Sequence, residues 1–565
     1  MQITTANRTM GQTDWHSINW KRANRSVRNL RQRIFKATQA GDINKVRQLQ
    51  KLMLRSYSNT LICVRKVTQV NAGKHTPGMD KVVIKTPKAR EELIEAIHSY
   101  QPWRSCPARR VYIPKPNGKQ QPLGIPTILD RTHQARVKNA LEPQWEACFE
   151  GSSYGFRPGR SCHDAIMAIY SLAHAGSRRR WIVDADIKGA FDNISHEFLL
   201  KAIGNFPAKG LIKQWLKAGY VDKNVFYETN SGTPQGGIIS PLLANIALHG
   251  MEEMLKIVRW GCKKTNAGNR ALVRYADDFV VFCESEEDTL QVIEDLKIWL
   301  SNRGLSLSEE KTRVVHITEG FDFLGFNIRQ YTQASARKGV KLLIKPSKKS
   351  VLTLKDNLRI LWKHLRGARP IAITVKLNPI IRGWANYYRM ANASKTFSYL
   401  DTHMFNKAVR WAKSTHNNKS WKYITKKYWG RWNKACNDKW VFGDKNTFLY
   451  KFSWVKIKRH VQVKSRSSKD DPALKTYWED REARKGRNLT KEKQIIAFYQ
   501  KYKCPVCHES LFNGEELHDH HIIADKKNIE RNLLKNRRML HLFCHQKVHF
   551  TNLPDATKDM RELLK

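Results

Sequence analysis

Three aspartates offer the first chemistry in this sequence. Asp277 and Asp278 are adjacent, between apolar half-strands at 271–275 and 279–283. Two short strand-like apolar runs with almost nothing between them predict a tight β-hairpin with both carboxylates at its tip. Asp disfavours strands and neighbouring like charges repel, so such a tip is costly unless a cation sits there. A solvated turn is the competing reading, because Asp is a common turn residue. Asp186 closes a strand-like run that opens at Trp181. Two-metal phosphoryl transfer needs hard oxygen ligands from separate strands around two Mg²⁺ roughly 3.5–4 Å apart. Asp186, Asp277 and Asp278 are such a set, and the carbonyl of Ile187, at the same strand end, is a further oxygen. The alternative for Asp184, Asp186 and Asp192 is a half-exposed strand running into a turn.

A second set lies near the carboxy end. Cys504 and Cys507 form one pair and His541 and Cys544 another, each with two residues between. Four such ligands suit a closed tetrahedral structural zinc. Between the pairs stand His518-Asp519-His520-His521 and Asn536, and His545 and His549 follow at helical i, i+4 spacing.

Composition limits what these residues serve. With 101 Lys and Arg against 50 Asp and Glu, the formal charge of +51 implies a polyanionic partner. Seventeen Trp, eighteen Tyr and twenty-one Phe interleave with the basic residues, which suits stacking on unpaired bases as well as core packing. A chain of 565 residues, 41% hydrophobic, can bury several cores. No apolar run approaches the ~18 residues of a membrane span, and the start is polar without a signal region. Most of the ten cysteines are scattered singly, which argues for reduced thiols. Together these give a cytoplasmic expectation.

The positioning elements follow from pattern. Residues 20 to about 110 read as basic amphipathic helices, with Arg28, Arg31, Arg33, Lys36 and Lys45 opposite Leu30, Phe35, Leu49 and Leu52. Residues 111 to about 330 alternate strand and helix patterns with Gly/Pro punctuation. From about 341 to 399 the pattern is helical again. A Trp- and Lys-rich stretch runs from 407 to about 460. The polar run 465–472, closed by Pro472, is the best linker candidate.

The ordered blocks 186–192, 232–246 and 275–278 resemble the palm motifs of reverse transcriptases. With 113–119, 122–127, 153–160, 304–312 and 321–326, they resemble more narrowly the reverse transcriptase–maturases encoded by mobile group II introns. The likeness covers nearly the whole chain. It implies an α+β multidomain fold: a right-hand polymerase with fingers and palm of mixed β-sheet and helices, a helical thumb, a basic DNA-binding region and a zinc-stapled HNH (ββα-metal) nuclease. The expected divisions are 1–110 (basic extension and start of the fingers), 111–335 (fingers and palm), 336–415 (maturase/thumb), 416–495 (DNA-binding region) and 496–565 (nuclease).

The resemblance also implies roles. Asp186, Asp277 and Asp278 would hold two Mg²⁺. Phe191 would act as a steric gate that selects deoxynucleotides, a core aromatic being the alternative. Gln235 would meet the incoming dNTP, with Lys115 and Lys119 on its triphosphate. Two glycines lead into an apolar helix from Ile239 to about Met254, whose amino end favours anions or a paired template. Gln121 and Leu129 depart from commonly basic positions, and Gln supplies no fixed charge to a phosphate. In 377–388, which resembles the maturase segment, Arg382, Asn386 and Tyr387 would meet intron RNA. The basic aromatic stretch from Lys419 to Trp432 would lead into a region for target DNA. In the nuclease, His521 would be the base and Asn536 would orient water. His520, His545 and His549 would hold a divalent metal, beside the zinc at Cys504, Cys507, His541 and Cys544. Here Ala524 stands where proline is usual, 526–529 lacks the customary glycines, and His541 replaces a commoner cysteine. The expected function is RNA-directed DNA synthesis, assistance to splicing and nicking of target DNA to prime copying, in a bacterial ribonucleoprotein. The competing reading is an RNA-binding splicing factor whose palm is scaffold and whose Cys/His module only binds DNA.

Overall fold

Polar caps open the helices at the amino end. Asn19, Asp42 and Ser56 each accept a bond from the backbone N–H three residues on, starting the helices Trp20–Gln39, Ile43–Arg55 and Tyr57–Arg65. In this computed structural model, residues 14–98, 103–114, 118, 120–257, 259–260, 265–266, 269–336, 338–433, 435–486, 489–523, 525 and 528–551 are described. The three helices pack on the long helix Ile128–Cys148 through Val27, Ile34, Leu49 and Met53, against Val137 and Leu141. Arg31 is not on the outward face that its spacing suggests. Its guanidinium is buried and donates to Asp470 at 2.7 and 2.8 Å and to Glu142 at 2.9 Å. Leu52, expected inside, is exposed.

Strand β1 (Ala108–Pro114) pairs antiparallel with β2 (Gln120–Ile125), and β3 (Trp181–Asp186) lies in a different sheet. The short β4 (Tyr220–Asp222) joins β1 in parallel and carries β5 (Val225–Tyr227) at the edge. Beyond the two-residue pair β6 (Arg259–Trp260) and β7 (Thr265–Asn266) come β8 (Ala271–Tyr275) and β9 (Asp278–Cys283). With β10 (Arg313–His316) they complete an antiparallel sheet of order β10-β3-β9-β8.

Both faces of this central sheet are covered, so its strands read as continuous apolar runs. Ile182, Val273, Val280 and Phe282 point to one core, with the helix Cys162–Leu172 and the downstream helices. Val183, Leu272, Phe279 and Val281 point to the other, with the helices Ser240–Ala247 and Glu286–Ser301 and the amino-terminal layer. The two faces of the sheet are thus committed to packing, and the strand end bearing the aspartates stays partly accessible.

A three-stranded sheet, β11 (Phe321–Phe323), β12 (Phe326–Thr332) and β13 (Val340–Pro346), follows. The helical pattern expected from 341 begins instead as a strand through Pro346, and helix starts only at Lys348. Ser347 caps the helix Lys348–His364, followed by Pro370–Tyr388 and Ser394–Thr415. Leu358, Trp362, Leu377, Ile381, Phe397 and Leu400 join these three to the first core.

The run 465–472 is a packed strap rather than a free linker. Ser467, Ser468 and Asp470 are buried, Arg160 donates to the carbonyls of Ser465 and Ser467, and Trp478 Nε1 donates to Ser468 O at 2.7 Å. Beyond the helices Lys475–Gly486 and Lys491–Tyr499, Leu517–His521 pairs antiparallel with Arg537–His541, and the helix Leu542–Thr551 closes a ββα unit. No described helix is long and apolar enough to cross a membrane.

Candidate active site and metal centre

The hairpin turns within two residues. Tyr275 pairs with Asp278 across the ladder, leaving Ala276 and Asp277 as the turn. Ala276 takes a left-handed φ of 60°, which favours glycine, so the tip is held in place by its surroundings. Arg274, fully buried, donates to Ala276 O at 3.2 Å and to Asn245 Oδ1 at 3.1 Å. Asn245 in turn donates to Gly155 O at 2.9 Å. Backbone bonds from Tyr154 N to Arg274 O and from Arg274 N to Ser152 O, both 2.9 Å, lay 152–155 along the hairpin. A Cβ on Gly155 would stand 2.2 Å from Ala276 N, so only glycine permits this approach.

Asp186 stands directly opposite Asp278 in the antiparallel register of β3 and β9. The fold thus brings the three sequence-predicted carboxylates to one strand end. Burial, then the neighbouring Asp277 and Asp186, pushes the Asp278 carboxyl up to about 7. Lys311 Nζ bonds to the Asp186 carboxylate, so a cation is already drawn to the cluster. Sequence reasoning gave Lys311 no role, although it lies in the 304–312 block. Ser308 N donates to Asp186 O at 2.8 Å, and Ile187 bridges to Leu307, fastening that block to the end of β3.

Phe191 is 9% exposed and meets Phe156 edge-on with centroids 6.1 Å apart. Both line a crevice that includes Ala276 and Asp277, so Phe191 is a largely buried ring beside the tip. Its carbonyl accepts from Thr233 N, placing the 232–237 block against the 186–192 block. Gln235 accepts from Gln121 Nε2 at 3.2 Å through its side chain and from Gly124 N at 2.9 Å through its carbonyl. Gln121 thus engages Gln235. The helix expected from Ile239 to Met254 is broken at Gly250 (φ 94°), and its amino end is buried: Ser240 Oγ donates to Pro234 O, and Ile238 N donates to Gln134 Oε1. That end is filled rather than open to an anion. Lys115 and Lys119 lie outside the described residues.

On the helix Pro370–Tyr388, Arg382 and Asn386 are exposed, with the Arg382 guanidinium 4.7 Å from the Tyr450 ring centroid. Tyr387 instead faces inward. Its hydroxyl donates to Leu324 O at 2.9 Å, its carbonyl meets His163 Nε2 at 2.8 Å, and its ring stacks on Phe326, so it braces this helix on β12. Trp384 sits among Tyr388, Phe397 and Phe452. In the basic stretch, Trp421 and Tyr423 are exposed under Lys413, Lys419 and Lys427, while Trp429 is buried.

Cys504, Cys507, His541 and Cys544 are all buried, and one ligand atom from each lies within 4.8 Å of the others. His541 Nε2 meets Ser510 O at 3.1 Å, leaving Nδ1 toward the thiols, 3.4 Å from Cys507 Sγ. This donor set fits a thiophilic cation. His520, His545 and His549 form a second cluster by the same measure, and the buried Nδ1 of His520 has no hydrogen-bond partner. Burial and the adjacent imidazoles hold His520 down to about 4, so it is neutral and able to ligate at neutral pH. His518 lies beside His545 with ring centroids 5.4 Å apart, whereas Asp519 is paired with Arg537 and is not free to join. Ile522 N donates to Asn536 O at 2.8 Å, and Asn536 Nδ2 donates to Glu530 O at 2.8 Å, tying Asn536 to the end of the His521 strand. Ala524, Lys526 and Lys527 are outside the described residues.

Comparison with known proteins adds three family matches. Residues 113–328 match the reverse transcriptase (RNA-dependent DNA polymerase) family, 15–97 the N-terminal domain of reverse transcriptase, and 351–429 the group II intron maturase-specific domain. Protein YkfC of Escherichia coli is 33% identical over 368 residues, which are 58% of this chain and 95% of that protein. Group II intron-encoded protein LtrA of Lactococcus lactis subsp. cremoris is 33% identical over 379 residues, 52% of this chain and 63% of LtrA. Maturase-like protein 1 of Euglena gracilis is 26% identical over 385 residues, 67% of this chain and 78% of that protein.

Proposed function

The chain belongs to the group II intron reverse transcriptase/maturase family, and from that premise we propose that it copies intron RNA into DNA and assists splicing of the same RNA. The observation that carries the polymerase reading is the meeting of Asp186, Asp277 and Asp278 at one strand end. Lys311 neutralises part of the charge of these carboxylates, a divalent cation would relieve the rest, and Mg²⁺ suits all-oxygen ligands. Two Mg²⁺ held by them would supply charge neutralisation for the primer hydroxyl and the leaving pyrophosphate. Ile187 would add its carbonyl. Phe191 and Phe156 would bound the sugar position and exclude a 2′-hydroxyl, Gln235 would meet the incoming deoxynucleotide, and Lys115 and Lys119 would hold its triphosphate. Arg382 and Asn386 would contact intron RNA, with Tyr387 holding their helix on the palm. The proposed divisions remain 1–110, 111–335, 336–415, 416–495 and 496–565, with 416–495 binding target DNA. Primer extension on an RNA template tests the metal assignment. Asp277→Ala/Asp278→Ala should abolish extension yet still promote splicing, and retained extension would refute the assignment.

The C-terminal unit supports a second activity. We assign Cys504, Cys507, His541 and Cys544 to structural zinc and His520, His545 and His549 to a catalytic divalent metal of an HNH nuclease. His521 would be the base, Asn536 would orient the water, and the nick would yield the priming hydroxyl. The clustered imidazoles, with an unpartnered Nδ1 among them, favour this over DNA binding alone. His545→Ala/His549→Ala should stop nicking of target DNA while leaving primer extension on a supplied primer. Nicking by that variant would return the unit to DNA binding.

A further inference from the structure

The Cys/His centre lies at a junction between distant parts of the chain. Cys504, Cys507 and Cys544 share one buried cluster with Leu61, Val64 and Val67 of the amino-terminal layer. Arg65, at the end of the helix Tyr57–Arg65, crosses this junction. Its guanidinium donates to Glu515 Oε2 at 2.9 Å and lies 3.7 Å from Cys544 Sγ, 479 residues along the chain. The Arg65 side chain is 8% exposed, and the Trp20 ring covers its other side at 4.8 Å. Lys547 Nζ, donating to Ile18 O at 2.7 Å, ties the closing helix to the same layer.

A divalent cation with three thiolates and a neutral imidazole carries one net negative charge. Such a charge in an apolar cluster needs an opposite charge or hydrogen-bond donors close by. Arg65 supplies both to Cys544, and no cysteine or histidine of the centre comes from Arg65's own helix. With no cation, the thiols have little call for a proton donor, and Arg65 keeps Glu515 and the Trp20 ring. Partners just outside a metal's ligands hold those ligands in place and tune their affinity.

We infer that Arg65 is a positioning residue for the cation at Cys504, Cys507, His541 and Cys544, and that occupancy of this centre and docking of the C-terminal unit on the N-terminal helices are one coupled equilibrium. The inference rests on the proposed metal reading of those four residues. Because the N-terminal layer packs on the helix Ile128–Cys148 behind the palm, the centre acts as a joint that sets where the histidine cluster sits relative to the aspartates. Whatever binds only the docked form stabilises docking, and docking tightens the centre in return.

The test uses the full chain and Zn²⁺ alone, in competition with a chromophoric chelator. Arg65→Met should weaken Zn²⁺ binding at the centre by about 10–100-fold, and Arg65→Lys should recover part of the loss. Glu509→Gln, which removes a more exposed ion pair with Arg28 across the same junction, should change affinity less than twofold. In the wild type, chelation should speed backbone amide exchange in 57–67. Arg65→Met binding Zn²⁺ within twofold of wild type overturns the inference, as does unchanged exchange on chelation. The exchange measurement decides the matter alone if Arg65→Met does not fold. Loss of Zn²⁺ binding in Cys504→Ser but not in Arg65→Met sinks this inference and spares the metal reading. A wild type that takes up no Zn²⁺ sinks both.

Discussion

Gly155→Ala is the sharpest test of how the hairpin tip is positioned. The change adds one methyl group at a residue with no charge and no metal ligand. A Cβ there would stand 2.2 Å from Ala276 N and 2.9 Å from Ala276 Cα. Non-bonded heavy atoms prefer about 3.5 Å, so the tip or the 152–155 segment must move by roughly 1 Å. The obstacle is backbone, pinned by Arg274 and Asn245, and cannot swing away as a side chain would. Gly155 does not occupy a left-handed conformation, so lost space is the whole effect. Overpacking of this kind costs about 1–3 kcal/mol of stability. Moving Asp277 and Asp278 by about 1 Å relative to Asp186 should slow nucleotide addition by about 10²-fold. The assay is single-turnover addition on an RNA template and primer across a magnesium titration, with a melt to verify folding. Addition within twofold of wild type by a folded Gly155→Ala protein would refute the account of a sterically held tip.

Other expectations follow from burial and charge. The Asp278 carboxyl is raised from 3.8 to about 7, so the folded, magnesium-free protein binds the extra proton and loses stability as pH rises across that window. Asp278→Asn should therefore melt higher than wild type at pH 8 in magnesium-free buffer, by about 2–4 kcal/mol, with the gap closing near pH 4; equal stabilities at pH 8 would contradict this. Arg31→Met strands Asp470 as a buried carboxylate and leaves Glu142 with Lys138 at 3.6 Å, and should cost about 3–5 kcal/mol in urea unfolding, with faster proteolysis at 465–472. Gly383→Ala, in the interior of the helix Pro370–Tyr388 with nothing near the added methyl, should raise stability by about 1 kcal/mol, read from the same unfolding curves.

Local signals in the sequence were readable and distant ones were not. The hairpin at 271–283 is where two apolar runs about a short acidic gap put it, because strand-forming runs and a two-residue turn are decided by neighbours. The pairing of Asp186 with Asp278 depends on a register between strands about ninety residues apart, which spacing alone cannot give. Arg31 shows the same limit from the other side. Helical spacing puts it on the polar face, but Asp470, from the far end of the chain, turns that position into a buried ion pair. The run 465–472 has a linker's composition, yet its carbonyls are taken by Arg160 and Trp478, partners that no local pattern reveals. The strand at 340–346 is hidden because Leu342, Leu343 and Ile344 stand in one apolar run, which breaks a period of two and suits a buried helix equally. Tyr387 has the type and spacing of an RNA contact, but the carbonyl of Leu324 claims its hydroxyl.

The aspartate tip combines features that oppose folding: a left-handed alanine, three converging carboxylates and a buried arginine behind them. The bond from Arg274 to Ala276 O offsets only part of these costs, which amount to several kcal/mol. They are sustained because β3, β8 and β9 are buried on both faces by different parts of the chain, so the tip cannot relax without opening two cores. Phe279 faces one core and Phe282 the other, both fully buried, and each contributes about 1.5–3 kcal/mol. The same double coverage leaves the strand ends as the accessible part of the sheet, and that is where the charges gather. Weakening either core should therefore loosen the tip before it unfolds the chain. Phe282→Leu, which touches no residue of the site, should raise the magnesium concentration needed for primer extension while the protein remains folded. An unchanged magnesium requirement in that variant would mean that the tip is held by Arg274, Asn245 and Gly155 alone.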